Sequence, residues 1–161
     1  MDQITQALFA ASRQGNVPVL NEIFERINSI NVTDEKGYTP LIIAVYNGQL
    51  EATQALIDAG ADLNAGDLHG NTALMGACFK GHAAIASVLI NSGASIDARH
   101  GNEGTALMFA AMFGRNDIID LLLEHGCDPE LRDSRGMSAL DHAVVQRNSE
   151  TVQKLQVISE S

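Results

Sequence analysis

The chain has no tryptophan, only three prolines and two cysteines, and aromatic residues make up 4% of its 161 positions. Any core must therefore be assembled mainly from the Leu, Ile, Val and Ala within an apolar content of 45%. Cys78 and Cys127 are too few for a disulfide framework or a cysteine metal cage. Basic residues are scarce, with 10 Lys and Arg against 20 Asp and Glu and a net charge of −10. Clustered cations are what hold phosphate backbones and anionic headgroups, so no nucleic acid and no membrane surface is expected as a partner. No apolar run approaches the ~20 residues of a membrane-spanning helix. The opening segment MDQITQALFAASRQG has an acid at its second position and no basic stretch, so it does not read as a secretory signal. With so little cysteine, a reducing cytoplasmic location is expected.

What the chain does have is repetition. The letters T-A-L-M begin at Thr72 and return at Thr105, 33 residues later. The same step connects Leu8, Leu41, Leu74, Leu107 and Leu140. It also connects Ala11, Ala44, Ala77, Ala110 and Ala143, and then Gly15, Gly48, Gly81 and Gly114. The register never slips, which divides the chain into about five units at 1–33, 34–66, 67–99, 100–132 and 133–161. Repeats of this length stack, because one unit cannot bury its own apolar face.

The second unit shows what each one builds. In DEKGYTP, a turn leads to Thr39, whose hydroxyl can cap the first orphan amides of a helix. Pro40 follows at the first helical position, where a missing N–H costs little. Leu41, Ala44 and Val45 mark the buried side of this short helix, and Gly48 ends it. A second helix is predicted from about Leu50 to Asp58, with Ala52, Ala55, Leu56 and Ala59 inward and Gly60 as its left-handed terminator. Each unit is thus helix, tight turn, helix and loop, and the small residue in the Ala11 column lets neighbouring helices approach closely.

The stretches DEKGYTPLIIAVYNGQLEATQALIDAGADLNAG, DLHGNTALMGACFKGHAAIASVLINSGASIDAR and HGNEGTALMFAAMFGRNDIIDLLLEHGCDPELR resemble ankyrin repeats, and the likeness runs along essentially the whole chain. The resemblance implies an all-α ankyrin solenoid of stacked helix-turn-helix units with short β-hairpin loops. It forms a single domain over 1–161 whose concave surface is made by the turn tips and the exposed side of the first helices. Some positions depart from the pattern. The histidine that often follows T-P-L is replaced by Ile42, Met75, Met108 and Asp141, so the usual Thr–His bonding is expected to be absent. In unit four His100 stands where Asp34, Asp67 and Asp133 stand elsewhere, Glu103 takes the turn-glycine slot ahead of Gly104, and Pro129 replaces Leu63 and Ile96. Irregular loops are expected there, as drift or as a site.

The ends are expected to be caps. In the last unit Lys154 and Gln156 replace Leu121 and Leu123 while Leu155 stays apolar, and a frayed SES follows. In the first unit Glu22 stands where Val88 and Leu121 stand inside the array, and Thr5 is expected to cap the first helix. Two capped ends read as a complete array.

Catalysis needs converging groups. The five histidines fall at different places in the repeat, and Gly81 breaks the helix between Cys78 and His82. GNEG is too short for a phosphate loop and lacks its lysine. No enzyme activity, metal or cofactor is expected. Cys78 should be a buried, inert thiol beside Ala77, and Cys127, near a loop, the more exposed one.

Binding is then the expected function. The variable columns Arg13, Tyr46, Phe79, Met112, Val145 and Gln14, Asn47, Lys80, Phe113, Gln146 hold much of the aromatic content. The partner-binding residues expected are Tyr38, Tyr46, Leu68, His69, Phe79, Lys80, Met112, Phe113 and Met137. The middle ones form an apolar stripe of the kind that marks an interface. The alternative is that Phe79, Met112 and Phe113 tuck between helices. Glu35, Asp62 and Asp67 could steer a partner with a basic patch. A monomeric adaptor, inhibitor or protector of a protein partner is the first reading, and a self-associating assembly subunit the second.

Overall fold

A computed structural model describes residues 1–159, so Glu160 and Ser161, the end of the expected frayed tail, lie outside the described residues. Ser159 is not frayed, because it closes the last helix and its hydroxyl donates to the Leu155 carbonyl at 3.4 Å. The described residues form ten helices in five pairs: α1 (Gln3–Gln14) and α2 (Val17–Phe24), α3 (Pro40–Tyr46) and α4 (Leu50–Asp58), α5 (Ala73–Lys80) and α6 (Ala83–Asn91), α7 (Ala106–Met112) and α8 (Asn116–Glu124), α9 (Ala139–Val145) and α10 (Ser149–Ser159). Helices α1, α3, α5, α7 and α9 lie side by side in chain order. Helices α2, α4, α6 and α8 form a second layer behind them, and α10 packs on α9.

The helix starts repeat because their chemistry repeats. The hydroxyls of Thr39, Thr72, Thr105 and Ser138 each accept the amide three residues on, at 3.1, 3.3, 3.4 and 3.2 Å. Such a cap contributes about 1 kcal/mol. Two replacements for the absent histidine also reach back. Met75 Sδ accepts the Thr72 amide at 3.5 Å and Asp141 Oδ2 accepts the Ser138 amide at 2.9 Å, completing capping boxes. The first helix is capped differently from expectation. Asp2, one residue before the helix, accepts the Thr5 amide at 2.7 Å, while Thr5 lies inside the first turn. Asp2 holds the extended position before the helix from which a side-chain oxygen reaches the third amide on, whereas Thr5 is already helical.

Leu8, Leu41, Leu74 and Leu107 occupy equivalent interior places, none more than 2% exposed. Leu140 is only half-buried, since no further helix pair lies against α9. The alanine column is closed throughout, with Ala44, Ala77, Ala110 and Ala143 at 0% and Ala11 at 3%. On α4 the inward set differs slightly from expectation. Ala59 is exposed and Ala55 half-buried, whereas Thr53 is fully buried with its hydroxyl donating to the Gln49 carbonyl at 2.7 Å. Three faces of so short a helix cannot all point inward, and the hydroxyl's bond to its own helix makes Thr53 cheap to bury. The expected β-hairpins are reduced to hydrogen-bonded turns, with one isolated bridge, Gly66 with Thr72, among the described residues.

Two side-chain columns fasten one unit to the next. In three units the residue after the first-helix terminator reaches back to the carbonyls that end the previous first helix. Gln49 Nε2 donates to Arg13 O at 2.9 Å and Arg115 Nη2 to Phe79 O at 3.1 Å. Asn148 Nδ2 donates to both Ala111 O and Met112 O, at 2.9 and 3.1 Å. A second column joins the outer loops: Asn31 Oδ1 accepts the Asp62 amide and Asn64 Oδ1 the Ser95 amide, each at 2.8 Å, and Asp97 accepts the Asp128 amide at 3.1 Å. The last link survives Pro129, so the proline does not disturb the loop path.

Candidate functional site

The turn tips are stitched into one continuous edge. The Leu68 amide donates to Lys36 O at 3.2 Å, Gly101 to His69 O at 2.8 Å, and Ser134 to Asn102 O at 2.9 Å. Each tip is shaped by an acceptor at its first residue. Asp34 Oδ1 accepts the amides of Lys36 and Tyr38, both at 2.9 Å. Asp67 Oδ1 accepts those of His69 and Asn71 at 2.8 and 3.0 Å. Asp67 is 9% exposed and fully engaged, and Asp62 accepts the Asn64 amide in an outer loop. Glu35 is exposed at the first tip.

Beside this edge, the first helices present the apolar side chains. Phe79 and Phe113 are 40% and 45% exposed and meet edge to face, with ring centroids 4.9 Å apart. Lys80 Nζ stands 5.9 Å from the Phe79 ring centre. Tyr38 and Tyr46 form a second edge-to-face pair at 5.8 Å, both half-buried. Burial, then Asp67 and Tyr38, push the Tyr46 phenol up to about 12, so it stays protonated at neutral pH. The two phenylalanines pack on each other yet remain open to solvent, whereas Met112 and Met137 are half-buried. Leu68 is 74% exposed at its tip, and His69 and Lys80 are exposed.

Two hollows connect these residues. A cleft of about 820 Å³ runs under the tips and is lined by Leu68, His69, Arg99, His100, Phe109 and Met112, among others. A smaller hollow of about 150 Å³ opens between Tyr46, Asn71, Met75, Phe79 and Phe109. Nearby, Gly76 stands in the repeat where Ile43 and Phe109 stand. Without a side chain there, the Tyr46 ring leans onto α5, where a Cβ would sit 3.0 Å from it. The hollows therefore bring together Tyr46 with Phe79, and Leu68 and His69 with Met112. Tyr38, Lys80, Phe113 and Met137 line neither. Asn71, expected from its turn-tip column on the concave surface, lines both hollows, as does Phe109, which sequence reasoning missed. The missing side chain at Gly76, one repeat before Phe109, was the signal for Phe109.

The family described as ankyrin repeats in three copies matches residues 8–100 and 96–158. The chain belongs to the ankyrin-repeat family. It is 39% identical over 49 residues to human (Homo sapiens) "Ankyrin repeat and SOCS box protein 3", covering 30% of this chain and 10% of that protein. It is 42% identical over 55 residues to bovine (Bos taurus) "Ankyrin repeat domain-containing protein 49", covering 34% of this chain and 23% of that one. The similarity thus spans less than a quarter of either relative. Ankyrin repeats generally mediate protein–protein interaction, and proteins built from them are typically non-enzymatic binding modules.

Seen as an ankyrin array, the chain is more regular than its sequence suggests. The unit-four tip was expected to be irregular, but its path matches the others. The His100 amide donates to Gly104 O at 3.0 Å, as Asp34 does to Tyr38 O at 3.0 Å, and Glu103 adopts φ +60° where Gly37 and Gly70 adopt +78° and +81°. The irregularity is chemical: His100 Nδ1 accepts the Asn102 amide at 3.0 Å, doing with nitrogen what Asp does with oxygen elsewhere. The expected exposure of Cys127 is also wrong. It is 6% exposed, in the alanine slot that Ala61 and Ala94 fill, and burial with Asp97 and Asp128 pushes its thiol up to about 12. Cys78 is fully buried and its thiol is pushed up further by burial. Among the described residues no group of three or more His, Cys, Asp or Glu is arranged to hold a metal ion, and no helix is long and apolar enough to cross a membrane.

Proposed function

We propose that this ankyrin array, acting as one domain over 1–161, is a cytoplasmic monomer that docks a protein partner on its concave face and thereby adapts, inhibits or protects it. Tyr38, Tyr46, Leu68, His69, Phe79, Lys80, Met112, Phe113 and Met137 form the contact surface. The observation that carries the reading is the open Phe79–Phe113 pair beside the hollow between Tyr46, Phe79 and Phe109. Large, partly exposed rings around a vacant apolar recess are how interfaces receive an anchoring side chain. The stacked helices hold that recess in shape before binding, so little ordering entropy is lost. Glu35 at the first tip would meet a basic group on the partner.

The test is the double change Tyr46→Ala with Phe113→Ala. Phe113 is 45% exposed and Tyr46 half-buried, so neither is a fully buried core residue and the helical circular dichroism should persist. Affinity for the partner recovered from the native host, measured by calorimetry, should fall at least 100-fold, since two interface anchors each contribute about 2 kcal/mol or more. Unchanged affinity would remove the stripe from the contact surface.

Self-association is supported by a separate observation. Val144 and Val145 on α9 are 55% and 63% exposed, although Ser12, Val45, Cys78 and Ala111 in the Val144 column are all at 0%. A second copy could stack there. Light scattering at high concentration decides it: a strict monomer excludes this reading, and a dimer abolished by Val144→Glu supports it.

A further inference from the structure

His100 is the one tip acceptor that can be switched off by a proton near neutral pH. The other three tips use the carboxylates of Asp34, Asp67 and Asp133 in place of an imidazole. An imidazole Nδ1 can accept the Asn102 amide only while that nitrogen is unprotonated, which fixes the Nε2–H tautomer. The surroundings are built to hold the ring. It packs against Phe109 with centroids 5.4 Å apart, and a Cβ at Gly104 would collide with its Nε2. The same tip carries both ends of the stitching: Gly101 donates to His69 O on one side, and Asn102 O accepts from Ser134 on the other.

We infer that His100 is a proton-operated latch: neutral, it holds the unit-four tip that walls the central cleft, and protonated, it releases the Asn102 amide and loosens that wall. The cleft's role in partner binding rests on the proposed function above, but the latch does not. Asp133 from the next tip and Asp67 from the previous one favour the cation, while Arg99 and His69 line the same cleft, and Arg99 lies 3.9 Å from Glu103. Burial outweighs the two aspartates and holds His100 below its usual 6.5. The sign follows: the latch is fully closed above about pH 6.5 and opens as pH falls through the lower folded value.

The experiment needs no partner. In the uniformly ¹⁵N-labelled full chain, an N–H···N bond produces a through-bond coupling between the Asn102 amide nitrogen and His100 Nδ1. No tip with an Asp acceptor can give that signal. The coupling should be present at pH 7.5, disappear with the titration curve of the His100 ring, and leave the Arg135 amide, held by Asp133, unmoved over the same range. His100→Asp should keep the Asn102 amide shift flat across that range. An Nδ1–H tautomer at pH 7.5, no coupling, or an Asn102 shift that ignores the His100 titration would overturn the latch. If the latch titrates but partner affinity does not change with it, the latch stands and the cleft's part in binding is what fails.

Discussion

Nε2 of His142 lies 2.7 Å from Oδ2 of Asp133, joining helix α9 to the last turn tip. The other oxygen, Oδ1, accepts the Arg135 and Met137 amides at 2.9 and 3.0 Å. Both side chains are mostly buried, at 13% and 9% exposure. Removing the carboxylate strands three donors, so Asp133→Ala should cost about 2–3 kcal/mol in urea unfolding. Burial pushes the Asp133 carboxyl up, but the Met137 amide, His142 and the Arg135 amide outweigh it and hold it below 3.8. Its stabilisation is therefore present above about pH 4 and fades as pH falls through the lower folded value. Stability curves of Asp133→Asn should be flatter than wild type on the acid side of pH 4.

The framework was legible in the sequence because a solenoid writes each interior place several times. Leu41, Leu74 and Leu107 each report the same pocket, and Thr39, Thr72 and Thr105 the same cap. Single-use features were not legible in that way. Asp2 caps the first helix from a position that the Thr and Ser caps of the later units do not share, so no column contained it. Cys127 looked like a loop residue because two alanines in its column gave no hint of how tightly that loop is covered. The small hollow is bounded by Tyr46, whose ring leans onto α5 where Gly76 has no side chain. Composition locates an aromatic column but not which way its rings fall.

The Asn148 amide group satisfies two carbonyls at the end of α7, Ala111 O and Met112 O. Asn148→Ala leaves both to water and removes a link between the last two helix pairs. We expect a loss of about 1–2 kcal/mol. Amide exchange should rise mainly in α9 and α10, where no later pair compensates, and α1 to α4 should be unaffected. A uniform rise along the chain would mean that the pairs unfold as one body.

Glu103 and Arg147 stand in glycine slots of the repeat with φ of +60° and +58°. A side chain there costs about 1–2 kcal/mol, against a modest entropy cost for glycine. The Arg99–Glu103 pair, 3.9 Å apart and 35% and 60% exposed, offsets little of this. Glu103→Gly and Arg147→Gly should each raise the melting temperature by roughly 2–4 °C, and together by nearly the sum. A fall in either case would show that the side chain makes up for its backbone conformation elsewhere.

Ala110 is 0% exposed between α5 and α9, the helices flanking α7 on either side. Ala110→Leu adds three carbons where the column is closed, and should cost about 1–3 kcal/mol. A lowered melting temperature with intact helical signal is the expected result. An unchanged temperature would place Ala110 at a looser contact than its burial implies.

The two thiols should behave as core groups. Cys78 is fully buried, and Cys127 is 6% exposed with its thiol held at about 12. Since the thiolate is the reactive species, neither should react with an aromatic disulfide reagent at pH 8 in the native state. Both should react at once in denaturant. Because Cys127 sits in the loop after α8, its reaction under mild urea should track opening of the last helix pairs, while Cys78 in α5 waits for the array to come apart. Prompt native labelling of Cys127 would show that this loop opens far more often than its burial suggests.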